Sequence, residues 1–172
     1  GNEAILPGEL VDRGRARIAE QLAAQPRQRA RLLGVLGRID RELGRSEQSL
    51  LSLREAIAIE REGGSAEHLA GYLITVGILE NQNERPEEAV AALTEALQLL
   101  HGESGSPSLR VDALAGLALA QVRMGEGDRA RASAFESLRL AEAFSGTDSP
   151  LVVSALQVVA EVQKAGGTAA FV

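Results

Sequence analysis

Leu33-Gly34-Val35-Leu36-Gly37 returns as Leu73-Ile74-Thr75-Val76-Gly77, then as Leu114-Ala115-Gly116-Leu117-Ala118, and last as Leu156-Gln157-Val158-Val159-Ala160, at steps of 40, 41 and 42 residues. In each copy a large apolar residue is followed by a second large one, and then directly by a small one. Further along, Ser49 and Ala56 recur as Ala89 and Ala96, and again as Ala130 and Ser137, so both halves of the unit keep one offset. Self-similarity at a fixed period is the mark of one supersecondary element stacked on itself.

Outward from that motif, apolar residues fall at helical spacing along nearly the whole chain, and nothing alternates with period two. The spacing predicts helices over 9–24, 27–43, 46–62, 66–82, 86–101, 107–124, 127–144 and 150–165, and no strands. Ser106-Pro107 and Ser149-Pro150 each put an oxygen acceptor at an N-cap and a proline at the first helical position. Pro86 does the same first-turn work, and Glu87 and Glu88 then suit the helix dipole. Gly44, Gly102 and Gly125 stand where helices should stop.

The small columns explain why the helices come in pairs. Gly37, Gly77, Ala118 and Ala160 on the first helix of each unit (A), and Ser49, Ala89 and Ala130 on the second (B), let two helices approach closely. Leu33, Leu53, Leu73, Leu93 and Leu114 fill the space between them. The expected architecture is an all-α, right-handed superhelical solenoid of three complete α-hairpins with a helix at each end. Its parts are a disordered or tag-derived 1–8, a single domain over 9–165 with repeats 27–62, 66–101 and 107–144 and a terminal helix 150–165, and a tail over 166–172.

Composition narrows the function. A net charge of −6 with no basic cluster argues against nucleic acid, where phosphate neutralisation dominates affinity. There is no cysteine, hence no disulfide framework or thiolate chemistry. The longest apolar stretch, Leu69 to Leu79, is too short to span a bilayer. No secretory leader is visible, and the cytoplasm is the default compartment. Lys164 is the only lysine among 18 basic residues, which reads as coding bias.

With these residues in view, the units resemble tetratricopeptide repeats. That motif has a large apolar residue, a leucine and a small residue on helix A, then a small residue and a small-large pair on helix B. Here these are Leu33-Leu36-Gly37, Ser49 and Ala56-Ile57; Leu73-Val76-Gly77, Ala89 and Ala96-Leu97; and Leu114-Leu117-Ala118, Ala130 and Ser137-Leu138. Units of 40 to 42 residues are similar to the long repeats of kinesin light chain and its bacterial relatives, as are the Ser-Pro helix starts. A narrower likeness, in Leu10-Val11-Asp12-Arg13-Gly14 and Arg29-Ala30-Arg31-Leu32-Leu33, is to the opening of repeat arrays in bacterial signalling proteins such as serine/threonine kinases.

The chain departs from the family at one column. Where the family usually has an aromatic, three residues after the small helix-A position, stand Asp40, Glu80, Gln121 and Gln163. Ser46, Pro86 and Gly127 replace a second aromatic. The polar column is either a solvated edge or a hydrogen-bonded ladder that fixes stacking or meets a polar ligand.

Other motifs carry no chemistry. Gly125-Glu126-Gly127-Asp128-Arg129-Ala130 fits a dinucleotide fingerprint, but a helix precedes it where a strand is required. His68 and His101 are the only histidines, and neither has a second ligand at metal spacing. No nucleophile elbow or His-acid pair supports catalysis. No enzyme, metal or cofactor is expected.

The resemblance implies that helices A line a concave face. Its groove positions fall on Arg31, Gly34, Arg38 and Arg41, on Ile74, Ile78 and Asn81, on Ala115, Leu119 and Val122, and on Gln157, Glu161 and Lys164. The family's Lys/Asn carboxylate clamp is missing, though the arginines suit bidentate contacts with acids. Helix 107–124 is apolar almost all round, so something should cover Ile74, Ile78, Leu119 and Val122. Superhelical curvature or a flanking segment, a peptide or partner helix, and self-association are all open. The terminal helix shows Leu156 and Val159 with no second helix after it: it caps the array, precedes more chain, or pairs with another copy. The expected function is a non-catalytic interaction module within a larger bacterial signalling or regulatory protein, gripping a protein or peptide in its groove. The alternative is a self-associating scaffold, a homo-oligomer built on the apolar groove and on Leu156 and Val159. Helices B point Arg54, Arg61, Arg129, Arg131 and Arg139 outward.

Overall fold

The helical periodicity resolves into eight helices in a computed structural model that describes residues 6–101 and 105–169, with side chains as far as Gly166. They are α1 (Pro7–Gln21), α2 (Pro26–Glu42), α3 (Ser46–Arg61), α4 (Ala66–Gln82), α5 (Pro86–Leu99), α6 (Pro107–Arg123), α7 (Gly127–Ser145) and α8 (Pro150–Ala169). No strand occurs among the described residues. The hairpins are α2–α3, α4–α5 and α6–α7, and the A helices α2, α4, α6 and α8 stand side by side along one face of a right-handed solenoid.

The ends differ from expectation in detail. α1 starts at Pro7, because a proline at the first position is pre-set for a helix, and stops at Gln21 instead of 24. α8 runs through Gly166 and Gly167 to Ala169, no proline being there to stop it. Residues 1–5 and 170–172 of the expected flanks, and Gly102, lie outside the described residues. Ser149 caps α8 by accepting the Val152 N–H at 3.2 Å. Ser106 does not cap α6: its Oγ lies 3.4 Å from that of Ser108 instead.

The A-to-B turns share one left-handed residue. Gly44 and Gly125 hold it at φ 72° and 74°, but the middle unit has Glu84 there at φ 62°. Each turn closes when the next residue's N–H bonds back five positions, as Arg45 to Asp40, Arg85 to Glu80 and Glu126 to Gln121. A side chain in this region costs about 1 kcal/mol. Glu84→Gly should therefore raise stability by roughly 0.5–1 kcal/mol, read as a higher urea midpoint. A lower midpoint would show that Glu84 makes a compensating interaction.

The close approach at the small column is direct. A Cβ on Gly37 would lie 2.7 Å from Leu53 Cγ, and one on Gly77 2.5 Å from Leu93 Cγ. Both leucines are fully buried. Between units the Tyr72 ring occupies the space over Gly34, and its hydroxyl donates to the Ala30 carbonyl at 3.2 Å.

Three of the four residues of the polar column, Asp40, Glu80 and Gln121, are buried, so for them the solvated-edge reading falls and the ladder stands. Asp40 is 0% and Glu80 2% exposed, each between two arginines. Asp40 pairs with Arg15 of α1 and, at 3.2 Å, with Arg45. Glu80 pairs with Arg54 of α3 at 2.9 Å and Arg85 at 3.4 Å. In the third unit the repeat offset puts Thr94 and Glu126 at the arginine positions, and the acid becomes Gln121, which accepts from Ser133 at 2.8 Å. Acid and arginines are lost together, as burial demands of a charge without partners. Gln163, in the last copy, is exposed.

The first and last A helices are less covered than the middle ones among the described residues. Leu32, Val35 and Ile39 are about 40% exposed, yet their equivalents (72, 75, 79; 113, 116, 120; 155, 158, 162) are all buried. Each later unit has a preceding A helix there; among the described residues none packs on α2 in that way. At the other end Val153 and Leu156 are about half exposed and Ala160 is exposed, where Ala70, Leu73 and Gly77 are buried under α5.

Candidate functional site

Three successive A helices make the walls of one groove. Arg38 and Arg41 come from α2, His68, Tyr72, Ile74 and Ile78 from α4, and Leu109 and Asp112 from α6. It encloses about 520 Å³ and is lined by the arginines of α2, by Glu67 of α4 and Asp112 of α6, and by the apolar Tyr72, Ile74, Ile78 and Leu109. Helical spacing builds this arrangement: 74, 78 and 81 lie one turn apart, as do 38 and 41, so each helix presents one stripe. Gly116 of α6 stands beside Ile78 and Leu93, and a Cβ there would lie 3.7 Å from Ile78 Cγ1 and 3.2 Å from a Leu93 methyl.

Arginine pairing divides this face. Arg29 pairs with Glu55, Arg41 with Glu42 at 3.0 Å and Arg45 with Asp12 at 2.6 Å. Arg31 and Arg38 make no ion pair among the described residues. Both lie near enough to Tyr72 to oppose the rise in its hydroxyl pKa, which burial chiefly causes and the Glu60 charge adds to. Asp112 is pushed above the usual carboxylate range by desolvation alone. Arg31 opens on a neighbouring hollow of about 240 Å³ with Arg27, Glu60, Ser65 and His68. There the buried Glu60 accepts the Ser65 N–H at 2.6 Å and stands 3.7 Å from His68 Nδ1.

The expected groove residues therefore separate. Arg38, Arg41, Ile74 and Ile78 come together in the groove, although Ile74 is largely sunk into its floor. Arg31 sits one hollow away. Asn81 is half-buried, and its Oδ1 accepts no hydrogen bond. Leu119 and Val122 pack instead against Val158, Val159 and Val162 of α8, so a flanking segment covers that end of the apolar surface. Val159 is accordingly buried, and the exposed large apolar residues of α8 are Val153 and Leu156. Sequence reasoning missed Tyr72, His68, Leu109 and Asp112. Tyr72, the one tyrosine, was legible in principle, since Gly34 opposite it is the small residue outside the repeat's own small column.

No three His, Cys, Asp or Glu side chains converge as metal ligands among the described residues. No helix among them is long and apolar enough to cross a membrane.

No family model and no curated protein matches the chain. Among solved structures it is similar to BtubC (BKLC) from P. vanneervenii, at 18% identity and a TM-score of 0.74, over 91% of this chain. The chain spans 64% of the length of BtubC. At that identity the likeness shows the fold, a tetratricopeptide-like helical repeat.

Proposed function

We propose that this chain is a non-catalytic protein-interaction module of the long-repeat, kinesin-light-chain-like kind, part of a larger bacterial signalling or regulatory protein. Its ligand is an amphipathic helix or peptide that carries acids along one edge and lies between α2, α4 and α6. The observation that supports this reading is Arg38, which makes no ion pair among the described residues, beside the apolar lining of Tyr72, Ile74, Ile78 and Leu109, with Arg31 in the adjoining hollow. Guanidinium groups suit carboxylates by bidentate contact, and an apolar floor takes the ligand's buried stripe.

The test uses a fluorescent helical peptide with leucines at three- and four-residue spacing and glutamates along one border. Replacing Arg31, Arg38 and Arg41 together with Ala should weaken binding by roughly 10- to 100-fold at low salt and flatten its salt dependence. Unchanged affinity and unchanged salt slope would remove the arginines from the site.

A further inference from the structure

Gly71 lies in the interior of α4, where glycine is a poorer helix former than any residue but proline. The other four glycines of α2, α4 and α6 have a packing reason. The Tyr72 ring lies over Gly34, Leu53 over Gly37, and Leu93 over both Gly77 and Gly116. Over Gly71 nothing lies. A Cβ built there meets no atom within 4 Å, and the position lines the α2–α4–α6 groove. His68, Ile74 and Thr75, one turn away on the same helix, edge the gap it leaves. Its flanks are charged. Arg31, Gly71 and Asp112 are each the sixth residue of a 17-residue helix, and α4 stands between α2 and α6, packing on both. Bare backbone on α4 is thus level with a cation on α2 and an anion on α6. Both side chains are exposed, and neither makes an ion pair among the described residues.

Resting on the reading of this groove as a peptide site, we propose that the ligand is a helix that crosses α4 at Gly71 and seats a large aliphatic side chain there. Its acidic border faces Arg31 and Arg38, and its opposite border is basic and faces Asp112. The chain itself shows how such a contact is made, since each other glycine of these three helices receives a large side chain from a neighbouring helix. Gly71 is the same socket with its knob supplied from outside, a place where glycine allows close approach to a ligand. Charge then sets direction. Turning the ligand end for end, with its apolar stripe still on α4, would exchange its two borders. Acids would face Asp112 and bases the arginines, and like charges set together select against that direction.

The experiment uses two fluorescent helical peptides, each with a leucine stripe and glutamates along one border. The second border is glutamine in one peptide and lysine in the other. The lysine peptide should bind roughly 5-fold tighter at low salt. Asp112→Asn should remove that gain and leave the glutamine peptide as it was. Gly71→Leu fills the socket and should weaken both peptides by roughly 10- to 100-fold. Its urea midpoint should be no lower than the native one, because the new side chain enters open space and favours the helix. If Gly71→Leu does not fold, Gly71→Ala takes its place, with a loss of about 5-fold. Binding that weakens on loss of Arg31, Arg38 and Arg41 yet is unmoved by filling Gly71 overturns this inference and keeps the groove reading. So does a lysine border that brings no gain, or a gain that survives Asp112→Asn in full. If neither peptide binds the native chain, both readings fall.

Discussion

Leu93→Ala is expected to lower stability by about 4 kcal/mol, near the upper end for deletion of a buried leucine. Leu93 has no exposed surface and stands between three helices. Its methyls lie 3.0 Å from a Cβ built on Gly77 of α4 and 3.2 Å from one built on Gly116 of α6. Each of those positions is a glycine, so neither offers a side chain that could relax into the space. The complementary change, Gly77→Ala, puts a methyl 2.5 Å from Leu93 Cγ and should cost about 2 kcal/mol by overpacking. The double variant should then be more stable than the sum of the two losses implies, since the new methyl occupies part of the cavity. Urea unfolding of all four proteins reads the coupling, expected at 0.5 kcal/mol or more. Strict additivity would place the two groups out of contact.

Asp40→Ala should cost about 3 kcal/mol and release α1 selectively. Apolar attachment of α1 is thin: Val11 is its only buried residue, with Ile18 partly buried. The rest is ionic. Arg15 reaches Asp12, Asp40 and Ser52, and Arg45 reaches Asp12, Asp40 and the Gly8 carbonyl. Without Asp40 two guanidinium groups face each other across Asp12 alone. Amide exchange over Pro7–Gln21 should become fast while α4 and α5 keep their protection, and trypsin should cut first at Arg13, Arg15 or Arg17. Uniform loss of protection along the chain would refute selective release.

Acid should act on the same cluster in a set order. Burial raises the Asp40 carboxyl above its ordinary value of 3.8, against the pull of Arg15 and Arg45. Asp12 is lowered, chiefly by its hydrogen bond from Arg45. A raised carboxyl is costly to keep ionised in the folded state, and that cost is relieved as pH falls through its folded value. A lowered one contributes stability above 3.8 that is lost as pH falls through its folded value. Docking of α1 should thus survive protonation of Asp40 and fail only below the ordinary carboxylate range, when Asp12 takes up its proton. Amide exchange in α1 against pH would show a loss well above pH 4 if this order were wrong.

The repeat, the helix pairs and the small columns were legible because each depends on a period within the chain. Gly37 with Leu53 and Gly77 with Leu93 are local to one hairpin, and size pattern alone pairs them. The Asp40 and Glu80 ladder was not legible in that way. Its burial depends on arginines from two places, five residues later and on the preceding helix, so no single window contains the neutralising set. Arg45 and Arg85 at a common offset from the acids were the available signal. That Leu119 and Val122 lie with α8, apart from the α2–α4–α6 groove, was hidden for a similar reason: helix 107–124 is apolar all round whether its last neighbour is a ligand or α8. Tyr72 fills the α2–α4 joint from a position where the other copies have Leu32, Ala113 and Ala155, so the period does not reveal it.

The chain has one tyrosine and no tryptophan, and that tyrosine is wedged over Gly34 with its hydroxyl on the Ala30 carbonyl. Its ultraviolet emission is therefore an optical gauge of a single seam between the first two units, whereas circular dichroism averages over every helix. If the two signals melt together, the solenoid comes apart as one cooperative body; if tyrosine emission changes at another temperature, that seam opens separately from the rest.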